Sequence, residues 1–138
     1  MSLARQDAKT FNWNESRYLR DMRDLLGEAR SPTTRRLLLA TPPPVFADGA
    51  FDIQADVVNK RLPALLPELA ASKGCEHIDL SSVLSAEHVS DGVHPTADGH
   101  TLIAQAVGRQ LLGIPPEGAG GTLREEMAAA HGSGTCSN

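Results

Sequence analysis

The hydrophobic pattern predicts an α/β chain built on a parallel sheet, and a sheet larger than its own strands would make. Three observations carry this. Helical and extended patterns alternate as helix, strand, helix, strand, helix over residues 14–114. The run Leu37-Leu38-Leu39-Ala40 is wholly apolar and bounded by Arg35-Arg36 and Thr41-Pro42-Pro43-Pro44, the pattern of a parallel strand buried on both faces. Only one further strand follows, at His77-Ile78-Asp79-Leu80, and two parallel strands alone would leave ladder groups open. The chain therefore reads as the second half of a larger sandwich, with its first strands absent.

The elements follow in order. Residues 1–13 are polar and irregular. Asn14 is placed to cap a helix over 15–29, with Tyr18, Leu19, Met22, Leu25 and Leu26 at helical spacing and Ser31-Pro32 ending it. After the first strand, residues 53–72 repeat apolar side chains at Val57, Val58, Leu62, Leu65, Leu66 and Leu69. Pro63 and Pro67 inside that run predict a kink or two consecutive helices. Gly74 suits the left-handed residue beyond a helix end. The second strand leads to Ser81-Ser82 and one turn around Val83-Leu84. A last helix over 96–112 carries Leu102, Ile103, Ala106, Val107, Leu111 and Leu112, and Pro115-Pro116 closes the domain. Residues 115–138 read as a Gly-rich linker and a flexible tail.

At 138 residues the chain makes one domain, and its 41% apolar and 22% charged composition is that of a soluble globular protein. A net charge of −4 with scattered Lys and Arg argues against a nucleic-acid partner, as do the 4% aromatics. No apolar run approaches the roughly 20 residues of a membrane span, so no membrane partner is expected. The N-terminus has no apolar export signal, and Cys75 and Cys136 make no disulfide framework. Both read as free thiols of a cytoplasmic protein.

The chemistry concentrates in Asp91-Gly92-Val93-His94-Pro95-Thr96-Ala97-Asp98-Gly99-His100. A carboxylate and an imidazole three residues apart, fixed on a short turn ahead of a helix, can activate a hydroxyl nucleophile. The plainer alternative is that Asp91 caps the turn and His94 fills a surface position. Ser81, Ser82, Ser85 and Ser90 lie close by, but none sits on a Gly-flanked strand-to-helix turn that would expose a nucleophile. Capping suits them better. His88, His94 and His100 recur every six residues, a spacing that does not share one helical face, so no metal is expected. Trp13 and Phe46 read as core or rim packing.

With these residues in view, the chain resembles the C-terminal half of an SGNH-type (GDSL-like) ester hydrolase of the carbohydrate-esterase and sialate O-acetylesterase-like group. Asp91, His94 and Pro95 match the family's Asp-x-x-His-Pro block. Thr41-Pro42-Pro43-Pro44-Val45-Phe46 after the apolar strand is a second match. Asp7-Ala8-Lys9 with Asn12-Trp13 resembles the segment after the family's Gly-x-Asn-Asp block. The resemblance runs from about residue 4 to 113. It implies a three-layer α/β/α sandwich with a flavodoxin-like parallel sheet, whose first three strands, Gly-Asp-Ser nucleophile block and oxyanion Gly would fall before Met1.

It further implies a serine esterase acting on small acyl or acetyl esters, with carbohydrate esters among them, and needing no cofactor. His94 would be its general base and Asp91 the partner that orients it. Gln6 stands where the family uses Asn to bind the oxyanion, and Ala4 where it uses Gly. Asp7 and Lys9 would line the acyl pocket, or else belong to a solvated loop. Without a serine nucleophile the chain is expected to be inactive alone. The other reading is a non-catalytic remnant that binds or self-associates through an open sheet edge.

Overall fold

A computed structural model describes residues 13–115. Gln6, Asp7, Lys9 and Cys136 lie outside those residues. The described chain is mixed α/β, with three α-helices and one small parallel sheet of two strands. Helix α1 spans Glu15–Ala29, where Asn14 Oδ1 accepts the Arg17 amide at 2.9 Å as its cap. Its inner stripe is Tyr18, Met22 and Leu26, while Leu25 lies half exposed.

Strand β1 is Leu38–Ala40 and strand β2 is Glu76–Ile78, paired in parallel with Leu39 opposite His77. Strand β2 thus begins one residue earlier than the pattern suggests and ends before Asp79. There the Asp79 carboxylate turns back to accept from the Ser81 amide and hydroxyl, a side-chain turn that competes with the ladder. The expected turn follows at Ser81-Ser82, closed by Val83 N on Leu80 O at 3.3 Å, and a further 3₁₀ turn forms at Ala86–His88, where Ser85 and His88 close it with reciprocal caps.

Between the strands, residues Val57–Arg61 make a π turn that runs straight into helix α2, Leu62–Ser72. The Leu62 amide reaches back five residues to the Val57 carbonyl. Pro63 has no N–H to offer the Asn59 carbonyl, so the interruption falls where the sequence predicts one. Gly74, at φ +61°, turns the chain out of the helix. Helix α3 spans Ala97–Leu112, with the Thr96 hydroxyl capping the Gly99 amide and Gly113 in the left-handed region at its end.

The core is one-sided. Leu39 packs with Tyr18, Met22 and Leu26 of α1 and with Val58, Leu62 and Leu66 leading through α2. On the opposite face Ile78 points toward α3, and with Leu102, Ala106 and Ile114 it lines an open cavity of about 470 Å³. Here one expectation fails. Strand β1 is not buried on both faces, since Ala40 is exposed and only Leu39 is fully covered. The apolar stripe of α3 is only half covered, and Leu111 and Leu112 stand out in solvent. Both have one cause: two strands span too little width to cover that face.

Polar ties fasten the layers. Thr41 N donates to Ile78 O and Glu76 N to Leu37 O, both at 2.9 Å, so residues 37, 39 and 41 turn their peptide groups toward β2. Leu38 and Ala40 turn theirs away, toward an edge that no described strand fills. Arg36 forks onto Glu76 at 2.6 and 2.7 Å and also donates to the carbonyls of Gln110 and Leu111 at the end of α3. Arg30 does the same for α2, donating to the carbonyls of Lys73 and Gly74. No helix among the described residues is long and apolar enough to cross a membrane.

Candidate active site

The Asp91–His94 turn is built almost entirely from neighbouring residues. Val89 and Pro95 form an antiparallel bridge, and Ser90 N donates to His94 O at 3.0 Å, which closes a small loop. Inside it Asp91 Oδ1 accepts the amides of Val93 at 2.9 Å and His94 at 2.7 Å. Such a turn is what Asp favours when its side chain replaces a backbone acceptor. It needs a left-handed residue between, and Gly92 supplies it at φ +82°. Val93 is fully buried and anchors the loop in the core, so its polar neighbours are left facing out.

With Oδ1 occupied by the backbone, Oδ2 lies 2.6 Å from His94 Nδ1. An ionised carboxylate only accepts, so Nδ1 carries a proton, and in the neutral ring the lone pair is on Nε2. The His94 side chain is 56% exposed, which leaves Nε2 open to a reacting group. The His94 amide, the His94 ring and the Val93 amide together hold the Asp91 carboxyl far below the usual carboxylate range. Asp91 is therefore a permanent anion at neutral pH.

Two further segments converge on this turn. Thr96 N donates to His88 O at 2.8 Å, and Gly99 lets the first turn of α3 approach that same carbonyl, so the helix begins tight against the loop. From the other side comes the segment after β1. Asn59 clamps Val45, accepting its amide at 2.8 Å and donating to its carbonyl at 2.7 Å. Phe46 N then donates to Gly92 O at 2.7 Å. The Thr-Pro-Pro-Pro-Val-Phe run is thus the strap that carries the end of β1 to the Asp91 turn. The site lies beyond the carboxyl ends of the parallel strands, where open α/β sheets bind ligands.

The other predicted residues go elsewhere. Ser81 donates to Asp79, Ser85 sits 2.8 Å from His88 Nδ1 as a cap, and Ser90 donates to the His94 carbonyl. None of these hydroxyls serves His94 Nε2. His88 is consumed by its cap, and among the described residues no three His, Cys, Asp or Glu side chains gather closely enough to hold a metal. Cys75 packs partly buried against the core, and Trp13 lies tilted against Tyr18 with ring centres 5.4 Å apart. Phe46, expected as core or rim packing, is 44% exposed and so does not belong to the core.

Sequence reasoning missed three contributors. The Phe51 and His94 rings meet in a T-shaped contact, 5.2 Å between centres at 84°. Asn59 makes its clamp from within a helical pattern, where a lone Asn was the only signal. Thr41 is fully buried with its hydroxyl 2.7 Å from His77 Nε2, and burial pushes that imidazole below its ordinary pKa. No protein-family model, curated protein or solved structure matches this chain.

Proposed function

We propose that this chain carries the acid–base half of an SGNH-type serine ester hydrolase that cleaves small acyl or acetyl esters. The observation that carries the reading is the 2.6 Å contact from His94 Nδ1 to Asp91 Oδ2, with Nε2 turned outward. In that role His94 Nε2 takes the proton of an attacking serine hydroxyl and returns it to the leaving alcohol. Asp91 fixes the tautomer and faces the ring while it is charged. The serine and the oxyanion Gly come from the segment that the resemblance places before Met1, and Gln6 stands at the family's other oxyanion position. The same reading makes β1 and β2 the last two strands of a three-layer α/β/α sandwich. Leu39 facing α1 and α2 while Ile78 faces α3 supports it, as does the half-covered stripe of α3.

The test is to read the coding sequence upstream of Met1 and to express the chain with any in-frame segment that encodes a strand followed by Gly-Asp-Ser. Hydrolysis of 4-nitrophenyl acetate is expected, with His94→Ala lowering kcat by about 10²- to 10⁴-fold. An extended chain that turns the ester over equally well without His94 would sink the assignment. The outward-facing peptide groups of Leu38 and Ala40 favour a second reading, a module that binds or self-associates by strand addition. Sedimentation of the chain as a concentration-independent monomer would count against it.

A further inference from the structure

We propose that Phe51 is a positioning residue for His94, an aromatic wall that keeps the imidazole turned with Nδ1 on Asp91 and Nε2 outward. The inference rests on the reading of Asp91 and His94 as an acid–base pair and adds the group that holds the base in its working orientation.

Three observations support it. The first is the contact, an edge-to-face arrangement at 5.2 Å, the geometry aromatic quadrupoles prefer. The second is that Phe51 is 54% exposed although Ile53, two residues on, is fully buried. A large apolar ring left at the surface beside the core, against a histidine, is not there for burial. The third is the backbone that presents it. Phe51 and Asp52 both adopt left-handed conformations, at φ +54° and +60°, which residues with a Cβ rarely take.

Neighbouring bonds enforce that conformation. Gly49 N donates to Ile53 O at 3.0 Å, Asp52 N to Gly49 O at 3.1 Å and Ile53 N to Ala50 O at 3.1 Å. Ala55 N donates to Asp48 Oδ1 at 2.9 Å, fixing the exit of the turn. With Ile53 locked in the core, the strained pair can only push the ring outward, and outward is where His94 stands. The His94 side chain is itself more than half exposed, and among the described residues its ring touches only Asp91 and Phe51 by specific contacts.

Long-range ¹H–¹⁵N spectra of the full chain read the His94 ring directly. The neutral ring of the wild type is expected to show a protonated Nδ1 and a bare Nε2. In Phe51→Leu the ratio of Asp91-bound to other ring states should fall roughly two- to tenfold, the Boltzmann weight of an aromatic edge contact, and the two nitrogen shifts should move toward each other. Phe51→Tyr keeps the ring and should keep the wild-type pattern. Phe51→Gly tolerates the left-handed backbone, so it should melt no lower than wild type and yet show the same loss as Phe51→Leu. Unchanged His94 shifts in the Leu and Gly variants would overturn the proposal, and so would a Tyr variant that behaves like Leu. These spectra do not depend on ester turnover, so a failed hydrolysis assay and a failed positioning role are told apart.

Discussion

Gly92→Ala tests whether the strap from β1 and the Asp91 turn are packed as closely as described. A Cβ built on Gly92 would run into the Ala47 Cβ and lie 3.0 Å from the Ala47 amide nitrogen. Neither atom is the free end of a long side chain, so the strap has to move. The backbone adds its own cost, because Gly92 sits at φ +82°. Holding a residue with a Cβ in the left-handed region costs about 1–2 kcal/mol. Overpacking a fitted contact costs about 1–3 kcal/mol more. Together they amount to about 2–5 kcal/mol, a large share of the roughly 5–15 kcal/mol that holds a domain folded. Urea unfolding followed by circular dichroism should show this loss, and the Tm should drop by about 8 °C or more. Adding Ala47→Gly to Gly92→Ala removes the Cβ overlap but neither the backbone contact nor the left-handed strain, so it should recover part of the loss. A Gly92→Ala protein within about 0.5 kcal/mol of wild type, the scale of an ordinary surface change, would refute the close approach.

Asn59→Ala removes both bonds to Val45 and leaves a partly buried amide and carbonyl without partners, so a loss of about 1–3 kcal/mol in urea unfolding is expected. Asn59→Asp keeps the acceptor but not the donor and should fall between the two. For acid stability, the Asp91 carboxyl titrates lower folded than unfolded, so its contribution is present above about pH 4 and is lost as pH falls through its folded value. Glu15 and Glu76, held low by hydrogen bonds from Arg61 and Arg36, add to the same slope. The informative quantity is therefore the difference: the gap in Tm between wild type and Asp91→Asn should narrow from pH 5 to pH 2, and a constant gap would contradict the ionic role of Asp91.

What the sequence made legible was local. Helices α1 and α3 begin where predicted because Asn14 and Thr96 cap them, and the chain leaves α2 at Gly74 because only glycine turns there freely. The Asp91–His94 pair could be read because its geometry closes within four residues, through bonds that Asp makes to amides two and three places on. The pairings that could not be read join residues far apart in the chain, Thr41 with His77 and Val45 with Asn59. Phe51 was hidden for a different reason. Nothing in its residue type announces a left-handed backbone, and propensity argues against one. The strand-like run 37–40 misled in a third way: apolar content reports what a strand can bury, not what this chain places against it.

Arg36 gives the two strands a way to sense their own alignment. Its side chain holds Glu76, the residue that opens β2, and at the same time the last carbonyls of α3. Sliding β1 by one residue would shift its side chains by about 3.3 Å and turn each to the opposite face. Arg36 would then let go of the carboxylate and the helix end together. A single guanidinium thus ties the alignment of the two described strands to the end of α3.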